Sequence, residues 1–182
     1  RARLITSALE RSLPAGFGRA RDVIRSALHP DVDAAIGAGS DARGLRGWAL
    51  MPIADYVAAR GLSEFDASMD LLAEITRRFT AEFAVRPFIL EDRDRAMTHV
   101  GRWARHANPH VRRLASEGSR PRLPWGVRLT PFVEDPAPLL PVLEALRDDP
   151  SEYVRRSVAN SLNDIAKDHP DLVADIARDW LR

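Results

Sequence analysis

The sequence predicts an all-α fold made of repeated helix pairs, and three observations carry that prediction. Strand signals are nearly absent: no alternating β-branched run bounded by turns occurs, while apolar residues recur at helical spacing almost everywhere. Val111-Arg112-Arg113-Leu114-Ala115 recurs as Val154-Arg155-Arg156-Ser157-Val158, 43 positions later, each time just inside a helix started by a proline. A two-helix unit of about that period is the signature of a HEAT-like repeat, whose units stack into a curved solenoid with the second helices lining the concave face. Finally, 182 residues at 45% hydrophobic content suffice to bury one substantial core. The expected organisation is a single HEAT-like repeat domain over 1–182, with capping helices and a connection in 1–44 and helical repeats in 45–182. Because the chain begins at Arg1 and stops within an apolar-periodic segment, both ends are expected to be trimmed.

Taken in order, the first helix covers Ala2 to Leu13, with Leu4, Ile5, Ala8 and Leu9 on one face. A Pro-Ala-Gly turn follows, then a short helix from about Arg19 to Leu28. His29 to Gly44, rich in Gly, Ala and Asp, reads as a mobile connection. Leu45 to Ala59 is helical, and Ser63 is placed to cap the next helix, which turns Phe65, Met69, Leu72 and Ile75 inward. Arg77 to Phe88 reads as a helix kinked or ended near Pro87. Asp92 to His106 is helical, Asn108-Pro109 starts a helix over His110 to Glu117, and Gly118 closes it. Ser119 to Trp125, with two prolines, is an extended connection that holds an aromatic ring in place. Helices resume over Gly126 to Val133, Pro138 to Arg147, Ser151 to His169, and Asp171 to Leu181.

The helix after Asp149-Pro150 organises the rest. Val154, Val158, Leu162 and Ile165 lay an apolar stripe along it, and His169-Pro170 ends it. Beside that stripe runs a polar one, Arg156, Asn160, Asn163 or Asp164, and Lys167. Its cations and amides suit an anionic polymer better than plain water. Five arginines (112, 113, 120, 122 and 128) also crowd Pro109 to Arg128 against one acid, Glu117. The near-neutral net charge of +1 by itself selects no partner.

Absences narrow the field. With no cysteine, disulfides, zinc–thiolate sites and thiol catalysis are excluded. No apolar run approaches the roughly 20 residues of a membrane span, no signal pattern opens the chain, and a cytoplasmic location is expected. Neither GxxxxGK[ST] nor GxGxxG occurs, so nucleotide hydrolysis and dinucleotide binding have no support. His99 and His106 share a helix face but no carboxylate completes a ligand set, so no metal is expected.

Three long blocks carry a resemblance. RRFTAEFAVRPF, HVRRLASEGSRPRLPW and DDPSEYVRRSVANSLNDIAKDHPD closely resemble the AlkC branch of the AlkC/AlkD-like DNA alkylation repair glycosylases, and the likeness runs from about Leu45 onward. The resemblance implies a HEAT-like solenoid that binds duplex DNA on its concave face. It implies hydrolysis of the N-glycosidic bond of cationic alkylated bases, chiefly 3-methyladenine and in this branch also 3-methylcytosine, without metal or organic cofactor. Relatives continue past Asp-Trp-Leu-Arg with further helices, and some add an immunoglobulin-like domain. The cleft residues of such proteins match Glu82, Trp125 and Asp164 here.

These residue types fit the chemistry. A base methylated at N3 is already cationic and leaves readily, so the remaining task is to stabilise an oxocarbenium-like sugar and position water, which a fixed carboxylate performs. Asp164 is the first candidate for that role. Glu82 would attract the cationic base or the sugar, and Trp125 would offer a π face worth about 0.5–2 kcal/mol to a cation. By pattern alone, Asp164 also reads as an exposed helix acid or cap partner, and Glu82 as an ion-pair partner of Arg78 or Arg86. Trp125 could equally plug a gap between repeats, the part expected of Trp48, Trp103 and Trp180. Arg112, Arg113, Arg120, Arg122, Arg155, Arg156, Asn160 and Lys167 are the candidate DNA contacts. One arginine of each pair could instead bond an acid on a neighbouring repeat, so about half are expected to reach phosphate. Two functions follow: a monomeric, monofunctional glycosylase acting on duplex DNA, or a non-catalytic HEAT-repeat module that binds DNA or protein. As Lys167 is the only lysine, no lyase step is expected.

Overall fold

The computed structural model describes residues 2–32 and 38–182. Among the described residues every named element is helical, and the β-type pairings are the isolated bridges Leu28–Leu45 and Asp41–Gly44. The chain divides into two compact units, Arg1–Ala96 and Met97–Arg182, with the division inside helix α6 (Arg93–Trp103).

The first unit contains α1 (Ala2–Ser12), α2 (Phe17–Ala27), α3 (Met51–Arg60), α4 (Phe65–Thr76) and α5 (Arg86–Glu91). α1 packs on α3, and α4 packs on both α2 and α3. Phe65, Met69, Leu72 and Ile75 are buried, as their spacing predicts, whereas Leu4 and Ile5 on α1 are exposed. Several local expectations are corrected. Ser63 does not cap α4: it sits in a 3-10 turn, Leu62–Glu64, and the next residue takes another job. The Glu64 carboxylate accepts the Gly18 N–H (3.0 Å), so it satisfies a free donor at the start of α2 instead. The expected helix Arg77 to Phe88 is mostly a turn over residues 77–85, and Pro87 opens α5 in the first-turn position where proline is tolerated.

The centre of the connection expected to be mobile, residues 33–37, lies outside the described residues. Its flanks are bonded: His29 N–H donates to Leu45 O (2.9 Å) and Leu45 N–H to Ala27 O (2.8 Å). The buried His29 ring accepts Asp31 N–H at Nδ1 (3.0 Å), which leaves Nε2 to donate to Asp41 (3.1 Å).

The second unit contains α7 (Pro109–Glu117), α8 (Thr130–Glu134), α9 (Leu140–Leu146), α10 (Glu152–Ile165) and α11 (Pro170–Trp180). α7 and α10, the helices that open with the repeated Val-Arg-Arg, pack directly on each other, and α9 packs against both. Val111 and Val154 are fully buried at equivalent places. Asn108 caps α7 by accepting His110 N–H (2.9 Å), and Gly118 closes it through its N–H to Leu114 O (2.9 Å). Residues 126–129 belong to the preceding loop rather than to a helix, so α8 is shorter than the sequence suggests.

Asp149 fixes the start of α10. Its carboxylate accepts Ser151 N–H (2.9 Å) and two hydrogen bonds from the Arg112 guanidinium of α7 (2.5 and 3.0 Å). Burial works to raise the Asp149 pKa, but Arg112, the Ser151 amide and the charge of Arg155 outweigh it and hold it below the ordinary 3.8. A depressed folded-state value means this contribution is present above the unfolded pKa and fades as pH falls through the folded one. Replacing Asp149 by Ala strands the Arg112 charge, which keeps two backbone carbonyl partners; the expected cost at neutral pH is about 2–3 kcal/mol, below the full range for a broken buried pair. Urea unfolding from pH 7 downward checks it: the wild type should lose this increment below pH 3.8, and Asp149→Ala should lack that part of the acid dependence.

Candidate functional site

Between α7 and α8 the chain cannot stay helical, because Pro121 and Pro124 remove donors and crowd the preceding turn. It forms a loop closed at its base by Leu129 N–H to Pro121 O (3.1 Å) and turned at its tip by Gly126 N–H to Leu123 O (3.1 Å). Leu123 and Leu129 are buried and anchor the two sides. Between them stands Trp125, 98% exposed. Its φ of 62° is the one positive value at a non-glycine position among the described residues. Left-handed geometry costs a bulky residue about 1–2 kcal/mol, so the surroundings must over-determine it.

They do so through α10. Asp164 is only 2% exposed: of the ambiguous pair Asn163 and Asp164, the asparagine faces solvent and the aspartate turns inward with Ser157 and Ser161. Arg120 clamps it from the loop, Nε donating to Oδ2 (2.9 Å) and Nη2 to Oδ1 (3.2 Å), while its Nη1 donates to Glu117 Oε1 (2.8 Å). Burial opposes the Arg120 charge, but the hydrogen bonds to Asp164 and Glu117 prevail and its pKa is raised. Arg122 N–H also donates to Asp164 Oδ2 (3.3 Å), and the Arg122 guanidinium pairs with Asp168 (2.8–3.0 Å), four residues further along in the turn after α10. Lys167 Nζ stands 3.6 Å from Asp164 Oδ1 with most of its side chain in solvent.

The remaining candidates separate by environment. Arg112 is bound to Asp149 and to the carbonyls of His106 and Ala107. Arg113 lies over the Tyr153 ring (4.6 Å) and 3.6 Å from Glu117. Arg155 and Arg156 are exposed, the first donating to Asp149 O (2.6 Å) and the second only 4.0 Å from Glu152; Asn160 is exposed too. Glu82 belongs to the first unit, where Thr80 Oγ1 donates to its Oε2 (2.8 Å). The structure thus joins Asp164, Arg120, Arg122 and Lys167 at the base of the Trp125 loop. Sequence reasoning missed Asp168 and passed over Glu117; their i+4 and i−3 spacing from Asp164 and Arg120 was the available signal. Of Trp48, Trp103 and Trp180, all expected between repeats, Trp103 is buried whereas Trp48 is 72% exposed.

Residues 70–176 match the model of a family described as DNA alkylation repair enzyme. The YhaZ protein of Bacillus subtilis (strain 168) is 44% identical over 181 residues, covering 99% of this chain and 46% of that protein. Among solved structures, the alkylpurine DNA glycosylase AlkC of Pseudomonas fluorescens, bound to DNA containing an abasic site analog, matches with a TM-score of 0.70 and 47% identity over 71% of this chain and 36% of its own. AlkD2 of Streptococcus mutans matches with a TM-score of 0.60 over 99% of this chain and 90% of its own; at 22% identity it attests the helical-repeat fold alone. The chain therefore spans less than half the length of YhaZ and of AlkC.

The Arg122–Asp168 pair is partly exposed, so its expected contribution is about 1 kcal/mol or less. Asp168→Ala should speed amide exchange at Gly126 and Leu129, whose N–H groups close the loop, by up to about fivefold, and leave the Ala166 N–H at the end of α10 unchanged. Site-resolved hydrogen exchange distinguishes that pattern from general loosening.

Proposed function

The chain belongs to the DNA alkylation repair enzyme family, and from that premise we propose that it is a monofunctional DNA glycosylase of base excision repair, releasing cationic alkylated bases, 3-methyladenine foremost and 3-methylcytosine second, from duplex DNA. The observation that carries this reading is the joint anchoring of Trp125 and Asp164: one buried guanidinium, Arg120, holds the carboxylate at the base of the loop that displays the strained indole. An aromatic face and a fixed carboxylate are what the reaction requires.

The base leaves as a neutral molecule once the N-glycosidic bond breaks, so no strong general acid is needed. Positive charge then develops on the deoxyribose, and a carboxylate already oriented in a poorly hydrated setting stabilises it without reorganising. Asp164 has that character. Lys167 stands 3.6 Å from Oδ1, which Arg120 Nη2 also holds; when Lys167 turns to a phosphate, Arg120 keeps the carboxylate in place and the Lys167 side opens toward the sugar and its attacking water. Trp125 meets the cationic base with its π face, an attraction a neutral adenine lacks, so selectivity follows charge. Glu82 keeps the role of a carboxylate that attracts the cationic base or the sugar. Arg155, Arg156, Asn160 and Lys167, the exposed members of the candidate set, contact backbone phosphates, and the buried arginines hold the site. Lys167 is the only lysine and is assigned to phosphate, so the abasic strand is left uncut.

Incubating the chain with duplex containing 3-methyladenine should release free base with first-order kinetics. Asp164→Ala should lower the single-turnover rate by about 10²-fold or more, the scale of removing one electrostatic stabiliser. Trp125→Ala should cost roughly 2- to 30-fold, chiefly on the cationic base. Salt-sensitive duplex binding without base release at any protein concentration would replace the glycosylase by a non-catalytic DNA-binding module.

A further inference from the structure

An aromatic pair in the first unit takes no part in the site above. Gly47 has a φ of 65°, and a Cβ at that position would lie 2.6 Å from Ala38 O, so only glycine fits. Its N–H donates to Arg78 O (3.2 Å), which ties the 3-10 turn Gly47–Leu50 to the turn that follows α4. Leu50 fills the core below while Trp48 points outward. The indole lies 4.9 Å from the Phe79 ring at an interplanar angle of 50°, so one edge is braced and the rest is open to solvent. Phe79 is itself fixed by its N–H to Ile75 O (3.0 Å).

A single exposed apolar residue requires no explanation. Here the exposure is built: a glycine-only backbone, a hydrogen bond to the neighbouring turn and a bracing ring all fix one outward pose. An immobilised indole with a bare face is the element that proteins use to stack a nucleobase, since every base offers a π face and little side-chain entropy remains to be lost.

We propose that Trp48, backed by Phe79, is a stacking platform for a nucleobase that has lost its neighbour in the duplex stack, an aromatic contact additional to Trp125. The proposal rests on the reading of the chain as a DNA-binding protein and is independent of whether it excises bases. Because an intact duplex hides its base faces, the platform contributes only where a base is exposed.

The test is equilibrium binding at one fixed salt concentration to three fluorescein-labelled probes: an intact duplex, the same duplex with one abasic site, and the single strand. Trp48→Ala should weaken binding to the single strand and the abasic duplex about 5- to 150-fold, the range for loss of a stacked aromatic, and binding to the intact duplex less than twofold. Trp48→Phe should restore most of the loss, and Phe79→Leu, which leaves the indole in place but unbraced, should reproduce part of it. Unchanged affinity for all three probes, or an equal loss on all three, would overturn the proposal. Probe-selective loss in a protein that releases no 3-methyladenine would sustain the platform and remove the glycosylase reading, while excision with no effect of Trp48→Ala on binding would do the reverse.

Discussion

The second unit depends on a guanidinium taken out of water. Arg120 is buried between Asp164 of α10 and Glu117 of α7, with hydrogen bonds to both carboxylates. Such a cluster is unforgiving: intact, it is near neutral in stability terms, but removal of one member leaves a buried charge without its counterpart. Its value is directional. Arg120 lies where the chain leaves α7, so the same bonds that satisfy its charge decide how the loop departs and where Trp125 ends up. The left-handed backbone at Trp125 persists because both feet of the loop are fixed, by Asp164 and Asp168 through Arg122 and by the buried Leu123 and Leu129.

The two Val-Arg-Arg starts show how one local pattern acquires different uses. Their valines occupy equivalent buried places, but the arginines do not match. Arg112 finds Asp149 within reach on the turn before α10 and is absorbed into the packing. Arg155 and Arg156 are exposed, the first donating to the Asp149 carbonyl and the second 4.0 Å from Glu152. A repeat sets the geometry of its helices; the neighbouring acids set the chemistry of its cations.

Much of this could be read from residues alone, and the failures have physical reasons. Helical class, the cap at Asn108, the closing Gly118 and the inward face of α4 follow from local spacing and turn chemistry, which need no partner. The turn over 77–85 was hidden because a proline early in a helix and a proline that breaks one look alike until the start is known. Asp164 lies within one position of the boundary between the polar and buried faces of α10, so periodicity could not tell it from Asn163. Which arginines are bound depends on acids such as Asp149 and Asp168, 37 and 46 residues away along the chain, and no local pattern reports those meetings. Tryptophan exposure was equally opaque: Trp125 was marked by its flanking prolines, while Trp48 carried no cue besides Gly47.

The clasp between loop and helix is also a gauge of chain length. Asp164 lies in the last turn of α10, and Asp168 follows four residues later in the turn that closes it, its N–H bonded to Ile165 O (3.1 Å). Arg120 and Arg122 are two residues apart, and two residues of any backbone span at most about 7 Å. Two arginines two residues apart thus meet two aspartates four residues apart, and one residue added or removed beside Pro121 would shift one pair against the other. The tip from Pro124 to Arg128 is measured by no such pair. Within nine residues the protein thus joins a segment whose length is tied to the two aspartates at the end of α10 to one whose length is open to variation, and the tryptophan sits at the head of the second.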